Sequence, residues 1–265
     1  NLVLACPTAS GKTLVAMILM LEMALRGAGK TFYLVPLRAL ASEKYEEFRL
    51  FQGAKKPNGG SLRISISTGD YDSPASNLAN KDIIIATYEK CDSIMRHRPS
   101  WLSSVALIVL DEIHLLDSVD RGPTLEMLST WLKRIAGGSQ FLALSATVEN
   151  CDEIGEWLDA TPVVSDWRPI PLREGVFLDY EIVYTSGRRT GITREFGEPY
   201  LDLASHVIRE GGQVLFFTET RRSAVALSRK LCAATWLSLS SAEKRKLAEA
   251  SSAISLSAER TKLSE

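Results

Sequence analysis

The first thirteen residues, NLVLACPTASGKT, constrain this chain more than any other stretch, because they join an apolar run to a long apolar segment through a loop of small residues. A bound phosphate chain needs several backbone N–H groups pointing inward. Ala9, Ser10 and Gly11 are small enough to let the loop formed by Cys6, Pro7, Thr8, Ala9, Ser10, Gly11, Lys12 and Thr13 wrap a triphosphate at a helix N-terminus, where the dipole favours anions. In such a loop Lys12 reaches the β- and γ-phosphates and the Thr13 hydroxyl ligates magnesium. The strict pattern has Gly at its first position, where this chain has Cys6. Leu2–Ala5 reads as a buried strand. Residues 14–25, LVAMILMLEMAL, are apolar on nearly every face, which predicts an interior helix capped by Gly27 or Gly29.

A second constellation lies in ALIVLDEIH, residues 106–114. Five apolar residues predict a strand buried on both faces, with Asp111 and Glu112 emerging at its C-terminal end. In open α/β sheets that edge is where ligands bind. One carboxylate there can hold the magnesium of a nucleotide and a second can orient the attacking water. Asp111 is assigned to the metal and Glu112 to the water, with Lys12 completing the catalytic set.

Further segments show which nucleotide-binding family this pattern resembles. They are PLRAL (36–40), TGDY (68–71), ATYEK (86–90), DEIHLLDS (111–118), SAT (145–147), EWLD (156–159), SDWRP (165–169) and LFFTETRR (215–222). Together they resemble superfamily two helicases of the Ski-two-like group, and within it the archaeal DNA repair helicases related to human helicase Q. The resemblance runs from the first residue to about Leu231. It implies an ATP-dependent motor, using ATP and magnesium, that translocates 3′ to 5′ along single-stranded DNA and opens branched or duplex DNA in repair or recombination. It also implies roles for particular residues. Arg38, Thr68, Gly69, Thr87 and Lys90 would track the strand backbone, and Arg221 and Arg222 would contact phosphate. His114, Ser145 and Thr147 would couple the nucleotide site to strand movement. Without the resemblance these segments are ordinary turns after strands, and His97 and His206 remain ordinary surface or core histidines.

Composition narrows the partners. A chain of 265 residues with 45% apolar content can bury one large core and part of a second. Its net charge of −1 argues against a mainly electrostatic nucleic-acid binder, yet suits a motor that grips a strand with a few amides and arginines. The basic pairs Lys55-Lys56 and Arg188-Arg189 read as solvated loops. The four cysteines, Cys6, Cys91, Cys151 and Cys232, have no metal-ligand or disulfide spacing, which suits a reducing cytoplasm. No apolar run is long enough to span a bilayer, and a monomer is expected.

Strand-like runs at 2–5, 31–35, 62–67, 82–86, 106–110 and 140–144 alternate with helical or loop segments. That order predicts an α/β fold, a parallel sheet with helices on both faces. The expected domains are a RecA-like unit over 1–169, then a linker at Pro169-Ile170-Pro171 and the start of a second RecA-like unit over 170–265. In the latter, 174–184 reads as extended, 200–209 as a helix and 213–218 as a strand; Arg221-Arg222 open the next helix, and the sequence after Trp236 reads as a polar helix or tail. The family's upstream adenine-reading glutamine and its arginine finger are not in this sequence. Such a finger is worth roughly 10³ to 10⁵ in rate in other phosphoryl-transfer systems, so the expectation is a fragment that binds nucleotide weakly and turns it over slowly or not at all. Three rivals stand beside this reading: an RNA helicase of the same group, a non-catalytic nucleic-acid-binding module, and a different P-loop enzyme such as a small-molecule kinase. Intact Lys12, Thr13, Asp111 and Glu112 argue against the second, and the SDWRP segment argues against the third.

Overall fold

The computed structural model describes residues 1–69, 78–146, 150–236 and 240–253, which form two compact units, Asn1–Pro171 and a second from Leu172 onward. In the first unit every predicted strand forms. They are β1 (Leu2–Ala5), β2 (Lys30–Val35), β3 (Ile64–Ser67), β4 (Ile83–Thr87), β5 (Val105–Leu110) and β6 (Gln140–Ser145). With β7 (Thr161–Val164) they make a seven-stranded sheet in the order β3-β4-β2-β5-β6-β1-β7, in which every pairing is parallel. Parallel neighbours need a crossover, and helices supply it. These are α1 (Lys12–Arg26), α2 (Arg38–Arg49), α3 (Tyr88–Arg96), α4 (Gly122–Ile135) and α5 (Cys151–Leu158). This is the RecA-like α/β architecture that the strand pattern predicts.

The continuous apolar runs are explained by two cores, one on each face. Along β2, Phe32 and Leu34 join α3, α4 and α5, while Tyr33 and Val35 join α1 and α2; all four are fully buried. Burying such a side chain stabilises by about 1.5–3 kcal/mol, so a strand apolar at every position is the consistent solution between two helical layers. β7 has no such signal. Its sequence, TPVV, is exposed at three of four positions, and Pro162 fits there because an edge strand needs no full set of ladder donors.

The structure corrects several expectations. The α1 helix is not interior: Ala16, Met20 and Ala24 are buried, whereas Leu14, Val15 and Ile18 are exposed. A helix laid across a sheet buries one stripe, and among the described residues no other element of this unit covers its outward face. Its end is as expected, with Gly27 in the left-handed region at φ 72°. Lys56 is not solvated, since its ammonium lies 2.6 Å from Asp82 with only 10% of its side chain exposed.

In the second unit the extended segment is a hairpin. β8 (Gly175–Leu178) and β9 (Glu181–Tyr184) pair antiparallel, and β10 (Arg189–Gly191) adds to β9, where the exposed Arg189 pairs with Glu181 at 3.0 Å. The turn residues Asp179 and Tyr180 both have positive φ, 50° and 63°, the geometry that matches the twist of a two-residue hairpin. Helix α6 (Pro199–Arg209) follows, then α7 (Arg221–Trp236) and α8 (Ser241–Ala253), so a helix does form after Trp236. Residues 213–218 are not a strand. Leu215 and Phe217 are 77% and 89% exposed, and among the described residues no strand pairs with this segment. An apolar run becomes a strand only against a neighbour.

Asp202, 1% exposed, accepts from the amides of Glu195 (2.9 Å) and Phe196 (2.7 Å) and so anchors the loop before α6. Asp202→Ala leaves two amides without their acceptor and is expected to cost about 1–3 kcal/mol. A urea unfolding midpoint unchanged from the parent would refute this anchoring.

Candidate functional site

β1, β5 and β6 all end at the same edge of the sheet, and this carries the phosphate loop, Asp111-Glu112 and Ser145 into one place. Ala5 is in register with Ser145, and the Cys6 amide donates to the Ser145 carbonyl at 3.3 Å. Cys6 and Pro7 are buried where the loop leaves the strand, while Thr8 and Ala9 are exposed. The loop turns through two left-handed residues, Ala9 at φ 64° and Gly11 at φ 94°, and Thr13 falls in the first turn of α1. Lys12 directs its ammonium back at the loop, donating to the carbonyls of Cys6 and Pro7.

Asp111 is held from both faces of the sheet. Its amide donates to the Leu34 carbonyl at 2.9 Å, which continues the β2–β5 ladder by one residue. Residues 109 and 111 share a face, and Tyr33 stands opposite Val109. The long Tyr33 side chain therefore reaches its diagonal neighbour, and its hydroxyl donates to Asp111 Oδ2 at 2.8 Å. The Glu112 amide donates to Oδ1 at 3.0 Å. From the other core, the Tyr88 hydroxyl donates to the Asp111 carbonyl. Burial raises the Asp111 carboxyl above the ordinary carboxylate value and the charge of Glu112 adds to this; the two hydrogen bonds and the Lys44 ammonium oppose it. Burial, with the adjacent Asp111 charge, likewise raises the Tyr33 and Tyr88 hydroxyls, so both remain donors.

Glu112 adopts the left-handed region, φ 57° and ψ 44°, and this turns the chain out of β5 into a 3-10 turn, Ile113–Asp117, that packs against β6. His114 Nδ1 lies 3.3 Å from Glu112 Oε2 without the alignment of a hydrogen bond. Gly122 seats this turn: a Cβ there would lie 2.2 Å from the Leu116 carbonyl oxygen. Buried polar atoms are ordinarily bonded, yet Ser10 Oγ, Ser67 Oγ, His114 Nδ1 and Ser145 Oγ have no hydrogen-bond partner. All four belong to segments at this one edge. Thr147 lies outside the described residues.

Beside the nucleotide elements, a groove of about 290 Å³ is lined by Arg38, Thr68, Gly69, Thr87 and Lys90, which the structure brings together from three strand ends. Thr87 caps α3 by accepting from the Lys90 amide at 3.3 Å, and Lys90 Nζ donates to the Gly69 carbonyl at 2.7 Å. The Arg38 guanidinium packs over Gly69, close enough that a Cβ there would touch it at 3.7 Å. Asp70 and Tyr71 lie outside the described residues. Arg221 and Arg222 open α7 in the second unit, exposed. A larger concavity of about 620 Å³, lined by Arg98, Trp131 and Arg134 among others, lies at the opposite ends of the strands and contains no predicted residue.

Two participants were not predicted. Ser93 lines the groove one turn beyond Glu89 and carries no sequence signal. Tyr33 reads as one more buried strand residue, and only its hydroxyl within the run TFYLV hinted at a polar partner.

The loop, the carboxylate pair and the parallel sheet define a helicase ATP-binding domain. The sequence pattern of the DEAD/DEAH box helicase family matches residues 1–154, and the chain belongs to that family. Among its relatives are the ATP-dependent DNA helicases Hel308 of Thermococcus kodakarensis and Methanocella arvoryzae. The first is 46% identical over 254 residues, 96% of this chain and 21% of the relative; the second is 44% identical over 250 residues, 94% and 33%. These matches bear out the resemblance to Ski-two-like superfamily two helicases. The chain spans between a fifth and a third of the length of these relatives. Of solved structures, the DUF1998 helicase MrfA bound to DNA and AMPPNP aligns with a TM-score of 0.52 at 29% identity, over 63% of this chain and 24% of that one. The helicase Lhr of Mycobacterium smegmatis, bound to ssDNA and AMP-PNP, shares the fold with a TM-score of 0.62 at 22% identity, over 87% and 31%.

Gly11 has open space where a Cβ would stand, so its requirement is conformational. Gly11→Ala is expected to cost about 1–2 kcal/mol from the left-handed backbone alone, and a melting temperature equal to the parent's would refute it.

Proposed function

We propose that this chain is the nucleotide-binding and strand-gripping part of an ATP-dependent DNA helicase. The single observation carrying the proposal is the convergence of Lys12, Thr13, Asp111 and Glu112 at one sheet edge, beside a groove lined by Arg38, Thr68, Gly69, Thr87 and Lys90. The names of the Hel308 relatives favour DNA as the strand, in single-stranded or branched form, with 3′ to 5′ movement by a monomer in the cytoplasm. A kinship with human helicase Q belongs to the same proposal.

The residues fit ATP and magnesium. Lys12 holds its ammonium against loop carbonyls, from which it would swing onto the β- and γ-phosphates. The unpartnered Ser10 hydroxyl offers a further polar group within the loop. A hydroxyl and a carboxylate, Thr13 and Asp111, are the hard oxygen ligands that magnesium takes, with nucleotide and water filling the rest. Among the described residues no three His, Cys, Asp or Glu side chains converge on a metal position, so the ion would be shared with the nucleotide rather than caged by protein. Bound there, magnesium would neutralise charge developing on the phosphates. Glu112, 39% exposed in its side chain, is free to orient a water. His114 and Ser145, each with an unsatisfied buried atom, would couple the phosphates to strand movement, together with Thr147. Arg38 and Lys90 would take strand phosphates, and Arg221 and Arg222 would do so from the second unit.

In the full-length protein, Glu112→Gln is expected to lower strand-stimulated ATP hydrolysis by about 10² to 10⁴-fold with nucleotide affinity retained. Stimulation is assayed with single-stranded DNA and RNA side by side. Preferential stimulation by RNA would move the protein to the RNA branch, and no hydrolysis with either would make it a binding module. Arg38→Ala is expected to weaken DNA binding across sequences and reduce the salt slope by about 1; an unchanged slope would remove Arg38 from the phosphate contacts.

A further inference from the structure

We propose that Tyr33 is a positioning residue for the metal-binding carboxylate: its hydroxyl, 2.8 Å from Asp111 Oδ2, sets the orientation in which Asp111 meets a divalent cation. This rests on the site proposed above. Each carboxylate oxygen has two lone pairs. Tyr33 takes one on Oδ2 and the Glu112 amide takes one on Oδ1. One lone pair on each oxygen remains for a metal or its water, and the two donors together fix the plane of the carboxyl group. Tyr33 itself is fully buried, so its ring cannot turn to follow a moving carboxylate. Partners that orient a metal's ligands typically matter 10–100-fold in metal affinity. The bland alternative is a buried tyrosine that merely satisfies its own hydroxyl. The two differ in what happens when the hydroxyl is removed: a satisfied core tyrosine changes melting alone, whereas a positioning tyrosine changes the magnesium requirement.

The test compares the parent, Tyr33→Phe and Tyr45→Phe in the full-length protein. Tyr45 packs against the same core cluster and has no bond to Asp111, which makes it a control for loss of a hydroxyl. Binding of a fluorescent ATP analogue is measured in EDTA and then along a magnesium titration, with melting followed in parallel without metal or nucleotide. Affinity in EDTA is expected to agree within about two-fold for all three proteins, while Tyr33→Phe needs about ten-fold more magnesium to reach half of the metal-dependent tightening. A Tyr33→Phe titration that superimposes on the parent overturns the proposal. So does an equal shift in Tyr45→Phe, a loss of affinity already present in EDTA, or melting of Tyr33→Phe below the assay temperature. A parent that binds nucleotide with no response to magnesium overturns the metal site itself, an outcome visible before either variant is examined.

Discussion

The pairing of β5 between β2 and β6 is the constraint on which the rest of the first unit depends. β5 delivers Asp111 and Glu112 to the edge, β2 supplies the carbonyl that extends the ladder to Asp111 and the tyrosine that holds its carboxylate, and β6 ends in Ser145 against the phosphate loop. A one-residue slip of β5 would exchange its two faces. It would put Val109 and Asp111 toward α3 and α4 and leave Tyr33 without its acceptor. The two apolar cores prevent that slip, since Leu107 and Val109 fill one while Ile108 and Leu110 fill the other.

The phosphate loop and the carboxylate pair share a physical design, in which backbone strain is supported by a strand paired on both sides. Ala9 and Glu112 occupy the left-handed region although neither is glycine, and each follows a strand that is paired on both sides. Such residues persist where the surroundings over-determine them. The four unpartnered polar atoms at this edge fit the same description. The surroundings hold them in place, and a polar ligand would complete them. The groove adds a different ingredient, a loop carbonyl held by Lys90 and a guanidinium held over Gly69. Its cations are thus set in position with a single net negative charge over the whole chain.

Much of this was legible because the central strands β2, β4 and β5 are buried on both faces and almost wholly apolar, and all six predicted runs form strands, including the edge strand β3, where Ile alternates with Ser. The loop and DEIH segment were legible because their chemistry needs those residue types at those spacings. β7 was not, since an edge strand containing Pro162 buries too little to leave a pattern. The hairpin turn at Asp179-Tyr180 was hidden because neither residue is glycine. The misjudged face of α1 has the opposite cause, with the apolar residues Leu14, Val15 and Ile18 present on a side that is exposed. For 213–218, apolar character again exceeded what its surroundings use.

By itself the sequence determined the first six strands of the first unit, the phosphate loop, and the identity of the carboxylates at the end of β5, because each is encoded in a contiguous stretch with local chemical requirements. Only the tertiary structure decided that Tyr33 bonds Asp111, that five residues spread from Arg38 to Lys90 share one groove, and that Lys56 pairs with Asp82. These are contacts between segments distant in sequence. They depend on which strands become neighbours and on which face each side chain leaves the sheet, and neither is written in any one stretch of the chain.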